Sequence, residues 1–78
     1  MKTTKYFAAT RNRPDRRQIL DEWICRTAAQ PEFENVQEDG RIRRWARIEE
    51  ANNRYLRVVL LSDGETVHNA FFDRGIRR

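Results

Sequence analysis

Tyr55-Leu56-Arg57-Val58-Val59-Leu60-Leu61-Ser62-Asp63-Gly64-Glu65-Thr66-Val67-His68-Asn69-Ala70-Phe71-Phe72 reads as two strands joined by a tight turn. β-Branched and aromatic side chains fit a pleated surface, and an Asp-Gly pair between two such runs marks a hairpin, because glycine adopts positive φ without a steric penalty. Side chains alternate across a strand, so faces can be assigned. Leu56, Val58 and Leu60 form a purely apolar side that needs a cover, and Tyr55, Arg57, Val59 and Leu61 take the other. In the second run Val67, Asn69 and Phe71 alternate with Thr66, His68, Ala70 and Phe72.

Working upstream, residues 49–54 form a polar loop with Ala51-Asn52-Asn53 at its tip, and Arg41 to Ile48 is a strand. Ile42, Arg44, Ala46 and Ile48 share one side of it; Arg41, Arg43, Trp45 and Arg47 share the other. Asp39-Gly40 turns back to a short edge strand around Phe33 and Val36. Before Pro31, the residues Ile19, Leu20, Trp23, Ile24 and Ala28 recur at helical spacing. With Asn12 or Asp15 as cap and Pro14 in the first turn, this spacing predicts one helix over residues 12–30, roughly four turns long. Residues 1–10 read as an arm, or as a short strand around Lys5–Ala8, and residues 75–78 as a basic tail.

Together these give one α+β domain over residues 1–78: a helix on one face of a three- to four-stranded, mainly antiparallel sheet. Its expected core is Ile19, Leu20, Trp23, Ile24, Leu56, Val58, Leu60, Val67 and Phe71. The uncovered face then carries Arg43, Trp45, Arg47, Tyr55, Arg57 and His68.

The formal net charge is +4, and of 16 basic residues only Lys2 and Lys5 are lysine. Arginine presents a rigid, always-charged fork that grips phosphate or carboxylate bidentately, so this bias points to an oxyanion-holding surface. Arg13, Arg16 and Arg17, with Arg11, crowd the predicted helix start, where cations oppose the macrodipole unless an anion sits there or Asp15, Asp21 and Glu22 soften the repulsion. One cysteine and one histidine leave no disulfide framework and no zinc site, so neither a metal nor another cofactor is expected. The lone Cys25 fits a reducing compartment, and the sequence contains neither a secretory apolar run nor a membrane span, so the expected location is cytoplasmic.

Metal-free RNA cleavage needs a proton carrier and cations for the charged phosphorane. His68 fills the first role, because histidine titrates near neutrality. Arg57 fills the second, and Tyr55 would orient or stack the substrate. Arg43, Arg47, Arg13, Arg16 and Arg17 would hold nucleic-acid phosphates, and Trp45 would stack a base. The plainer readings are that His68 bonds a neighbouring group, that Trp45 and Tyr55 cover the sheet, and that the arginines pair with Glu34, Glu38 or Glu65.

The stretch from Ile19 to Arg74 resembles a family of small bacterial proteins distantly similar to the BrnT and RelE toxins. The resemblance rests on Asp21-Glu22-Trp23-Ile24 with Pro31, Asp39-Gly40-Arg41-Ile42-Arg43-Arg44-Trp45, Arg54-Tyr55-Leu56-Arg57-Val58-Val59, and above all Asp63-Gly64-Glu65-Thr66-Val67-His68-Asn69-Ala70-Phe71-Phe72-Asp73-Arg74. These toxins belong to the superfamily of metal-independent ribonucleases that includes barnase. The resemblance implies a helix-plus-antiparallel-sheet fold and a type II toxin–antitoxin setting. It also implies mRNA as substrate, on the ribosome, and a small antitoxin protein as partner. The residues alone leave two other classes open: a nucleic-acid-binding module without catalysis, and a subunit that binds an acidic protein.

Overall fold

Where apolar and polar residues alternate, the chain forms strands, and the two Asp-Gly pairs turn it back on itself. A computed structural model describes residues 1–76; Arg77 and Arg78 of the predicted basic tail lie outside them. Strands β1 (Phe33–Val36), β2 (Ile42–Ile48), β3 (Arg54–Leu60) and β4 (Val67–Phe72) form one antiparallel sheet in the order β1-β2-β3-β4. Gly40 and Gly64 take φ of 91° and 72° in the two turns. A 3-10 turn, Glu49–Ala51, links β2 to β3 through Asn52 and Asn53, both left-handed, a conformation asparagine tolerates. The fold is thus α+β with a four-stranded antiparallel sheet.

The helical layer differs from the expected single helix. Among the described residues there are three pieces: α1 (Lys5–Thr10), α2 (Pro14–Arg17) and α3 (Asp21–Ala29). The break after α2 follows from tertiary ties on either side of it. Arg16 donates to Asn69 Oδ1 and the Ala70 carbonyl of β4, while Ile19, at 1% exposure, is driven into the core. Leu20 becomes extended, with φ −76° and ψ 143°, and α3 starts afresh on Asp21 and Glu22, acids that suit a first turn. Leu20 is therefore half exposed rather than core, and Trp23 is only partly buried. At the other end of α3, Arg44 Nη1 donates to the Ala28 carbonyl at 2.6 Å, satisfying a carbonyl that the helix leaves orphaned.

Residues 1–10 form neither an arm nor a strand over Lys5–Ala8. Thr3 makes an isolated parallel bridge to Val67, and α1 follows, capped by the Thr4 hydroxyl, which accepts from the Phe7 N–H at 3.1 Å. This segment shields part of the β4 edge and buries Phe7.

The covered sheet face is the predicted one. Leu56, Val58 and Leu60 are fully buried, joined by Ile48, Ala51, Val67, Ala70, Ile19, Ile24 and Phe7. Phe71 is the exception. A bulge sets Asn69 opposite Val59 but Val67 opposite Leu60, so His68 is the extra residue. Strict alternation would keep Val67 and Phe71 on one side; the bulge leaves Val67 in the core and moves Phe71 to the opposite face.

Candidate functional site

The face away from α3 is organised by register. Phe33, Trp45, Arg57 and Phe71 are direct cross-strand partners in one row spanning all four strands. Phe33 and Trp45 stack with centroids 5.0 Å apart. The Arg57 guanidinium lies 5.4 Å from the Trp45 ring and 5.0 Å from that of Phe71, and Arg16 covers Phe71 at 5.1 Å. Cations over aromatic faces are held by the ring quadrupole, most strongly when partly desolvated.

Asp73 locks this row. Its Oδ2 accepts from the Trp45 indole N–H at 3.0 Å and lies 3.1 Å from Arg57 Nε. The Arg57 contact is an ion pair and not a directed hydrogen bond, because the buried Nε–H points at no acceptor. Burial pushes the Asp73 carboxyl up, but the indole N–H, the Gly75 backbone N–H and the Arg57 charge together hold it below its ordinary value.

With Arg57 so held, neither of its Nη groups meets an acceptor among the described residues, and the side chain is 26% exposed. It lines a cavity of about 430 Å³ together with Tyr6, Gln37, Arg41, Val59, His68, Asn69 and Phe71. Arg41 and Arg57 bring two cations to this wall. Asn69 spends its Oδ1 on Arg16 Nη1 and the Ala70 N–H, which leaves its amide NH2 for the cavity. His68 Nδ1 lies 3.1 Å from the Thr4 hydroxyl, which leaves Nε2 as its outward nitrogen. The His68 ring stacks on Tyr6 of α1 at 4.9 Å. No carboxylate lines the cavity; Asp73 and Asp39 pair with its two arginines, Asp73 with Arg57 at 3.1 Å and Asp39 with the exposed Arg41 at 3.6 Å.

The structure brings His68 and Arg57 to one cavity. Tyr55 is elsewhere. It accompanies Arg47 and the Asp73 end of β4, five residues from His68, roughly 15 Å at about 3.3 Å per residue. Its hydroxyl donates to Glu32 Oε1. Trp45 is 3% exposed under Phe33 and the arginines, so it is a packed sheet residue and presents no ring for a base. Arg43 is held by Asn35 Oδ1 and rests 5.9 Å from the Trp45 ring, while the Arg47 side chain is exposed beyond it.

The arginines of the predicted helix start divide. Arg16 is a structural brace to β4, and Arg11 spans the helix break, donating to the Arg16 carbonyl and to Asp21. These contacts compensate two of the charges crowded near the predicted helix start. Arg13 and Arg17 are exposed. Sequence reasoning missed Tyr6, Arg41 and Asn69. Arg41 was legible from its parity with Arg43; Asn69 and Tyr6 depended on the bulge and on the position of α1.

Neither a family model, nor a curated protein, nor a solved structure matches this chain. Among the described residues no helix is long and apolar enough to cross a membrane, and no cluster of three or more His, Cys, Asp and Glu could hold a metal ion.

Proposed function

We propose that this protein binds RNA through its arginine-bearing sheet face, with a backbone phosphate seated in the cavity of Arg41, Arg57, His68 and Asn69. The observation that carries the reading is a cavity lined by two arginines and Asn69 and by no carboxylate, around a guanidinium already oriented by Trp45, Phe71 and Asp73. Such a guanidinium loses little freedom on meeting an oxyanion, and the fork suits phosphate. The stretch from Asp63 to Arg74, which supplies His68, Asn69 and Asp73, is also the most specific part of the resemblance to the small bacterial family distantly similar to the BrnT and RelE toxins. Within this proposal the protein acts as the toxin of a toxin–antitoxin pair.

RNA cleavage of that kind forms a bond from the 2′-oxygen to phosphorus and breaks the bond to the 5′-oxygen. A proton leaves the first oxygen and another reaches the second. His68 Nε2 can carry one of the two, and Arg57 and Arg41 face the charge that develops on phosphorus. The cavity holds no carboxylate for the other transfer. In this reading the second group comes from outside the chain, consistent with action on the ribosome.

The test is a salt titration of RNA binding by wild type, Arg41→Ala and Arg57→Lys, with thermal midpoints measured alongside. Affinity should fall steeply with salt, and each variant should bind several-fold more weakly. For single strands, each lost phosphate contact should reduce the logarithmic slope by about 0.7. A shallow slope shared by all three proteins would turn the face over to an acidic protein partner. Growth arrest on expression, abolished by His68→Gln and kept by Tyr55→Phe, is the expected cellular counterpart.

A further inference from the structure

Tyr6 is half exposed although it is a large ring, and it sits on α1 at the rim of the arginine-lined cavity. One of its faces is occupied, stacked on His68 with an interplanar angle of 24°. The ring does not float. Phe7 beside it is buried at 3%, the Thr4 hydroxyl accepts the Phe7 N–H, and the same hydroxyl meets His68 Nδ1. Helix, cap and histidine therefore fix the plane of Tyr6 before any ligand arrives. A planar aromatic held at the edge of a phosphate-sized cluster of donors fits a nucleotide, whose flat base and charged phosphate are joined through a sugar. The cavity, about 430 Å³, lies within the roughly 300–1,000 Å³ usual for small-molecule sites.

We infer that the outer face of Tyr6 is a nucleobase shelf: a single-stranded RNA places one base on Tyr6 and the adjoining phosphate against Arg57, Arg41 and Asn69. This deepens the RNA reading and rests on it. The base must be free of pairing, because a base inside a duplex has both faces covered. The shelf tolerates any sequence, since every base has a π-face. It assigns stacking to a residue of α1, in place of Trp45 and Tyr55 on the sheet.

Anisotropy measurements with labelled hexa-adenylate, and with an abasic ribose-phosphate strand of the same length, separate the shelf from the phosphate cavity. Pyrophosphate as competitor reports the cavity alone. Tyr6→Ala should bind hexa-adenylate about tenfold more weakly, within the range expected for one lost base–aromatic stack. Tyr6→Leu, which keeps apolar cover over His68 without a ring, should show the same loss and secures the result if Tyr6→Ala unfolds. Tyr6→Phe should stay within about twofold of wild type, because a phenyl face stacks as well. The abasic strand and pyrophosphate should bind wild type and Tyr6→Leu alike. Undiminished hexa-adenylate binding by folded Tyr6→Leu, or an equal loss for the abasic strand, overturns the shelf while leaving the phosphate cavity in place. Wild type that binds neither strand nor pyrophosphate, or that prefers polyglutamate, overturns both.

Discussion

Trp45 ties together several side chains of its face. It stacks on Phe33, lies under Arg57 and Arg43, and donates its only N–H to Asp73. A buried indole without an acceptor is costly, and so is a buried carboxylate without a donor, so each explains the other. Trp45→Phe keeps the stack but removes the donor that most strongly lowers the Asp73 pKa. The expected loss is about 1–3 kcal/mol, the usual cost of stranding a buried hydrogen-bonding group. Urea unfolding of this variant, with the slope unchanged, checks it; an unaltered midpoint would mean that Arg57 and Gly75 satisfy Asp73 alone. The same residue shows how far type alone can mislead. A tryptophan among arginines fits a base-stacking site, yet register and the Asp73 bond make it part of the fold.

Among the elements, β4 decides where the site lies. Its bulge leaves Val67 in the core and turns Asn69 and Phe71 toward the arginine face, with His68 over α1. Two substitutions separate this arrangement from a regular strand. Ala70→Asp should unfold or severely destabilise the protein, because position 70 is 3% exposed on the α3 side and an unpaired charge there costs several kcal/mol. Phe71→Gln should be milder, losing the cover of Arg57 and Arg16 at a partly exposed position. A regular strand predicts the reverse order, so thermal midpoints of the two variants distinguish the registers. The turn before β4 is braced by Asp63, whose carboxylate accepts from the Glu65 and Thr66 N–H groups and the Thr66 hydroxyl.

At the scale of the whole molecule, the carboxylates set the response to acid. The Thr66 hydroxyl, with the Thr66 and Glu65 N–H groups, holds Asp63 at about 2, against an ordinary 3.8. Asp73 is also lowered, and Arg26 lowers Glu50. In each case the folded state binds its proton later than the unfolded chain as pH falls, so unfolding becomes easier as pH drops. Their contribution is complete above the ordinary carboxylate values and is lost as pH falls through the folded ones. Stability by urea unfolding should therefore be level near pH 6 and decline from about pH 5 toward pH 2. Asp63→Asn should flatten the lower part of that decline; an identical profile in the variant would remove Asp63 from the account. Arginine, charged throughout this range, contributes no step of its own.

The sheet, its turns and the side of it that is buried are legible in the order of residues alone. Those features are local: alternation in Leu56, Val58 and Leu60, and Asp-Gly where the chain needs positive φ, act over a few residues whatever the rest of the chain does. The order of residues also places Arg57 on the uncovered face, because parity within one strand is enough. The rest depends on contacts between segments far apart in the chain. The helix breaks at Leu20 because Arg16 is tied to β4 while Ile19 is drawn into the core, a competition absent from the periodicity of residues 19–28. One extra residue at His68 reverses the sides of β4, and hydrophobic alternation registers no such insertion until the partner strand is in place. Tyr6 joins His68, Arg57 and Asn69 only when α1 docks beside β4, more than sixty positions along the chain from His68. Long-range docking of this kind depends on which surfaces remain to be covered once the sheet exists, and that is a property of the assembled core.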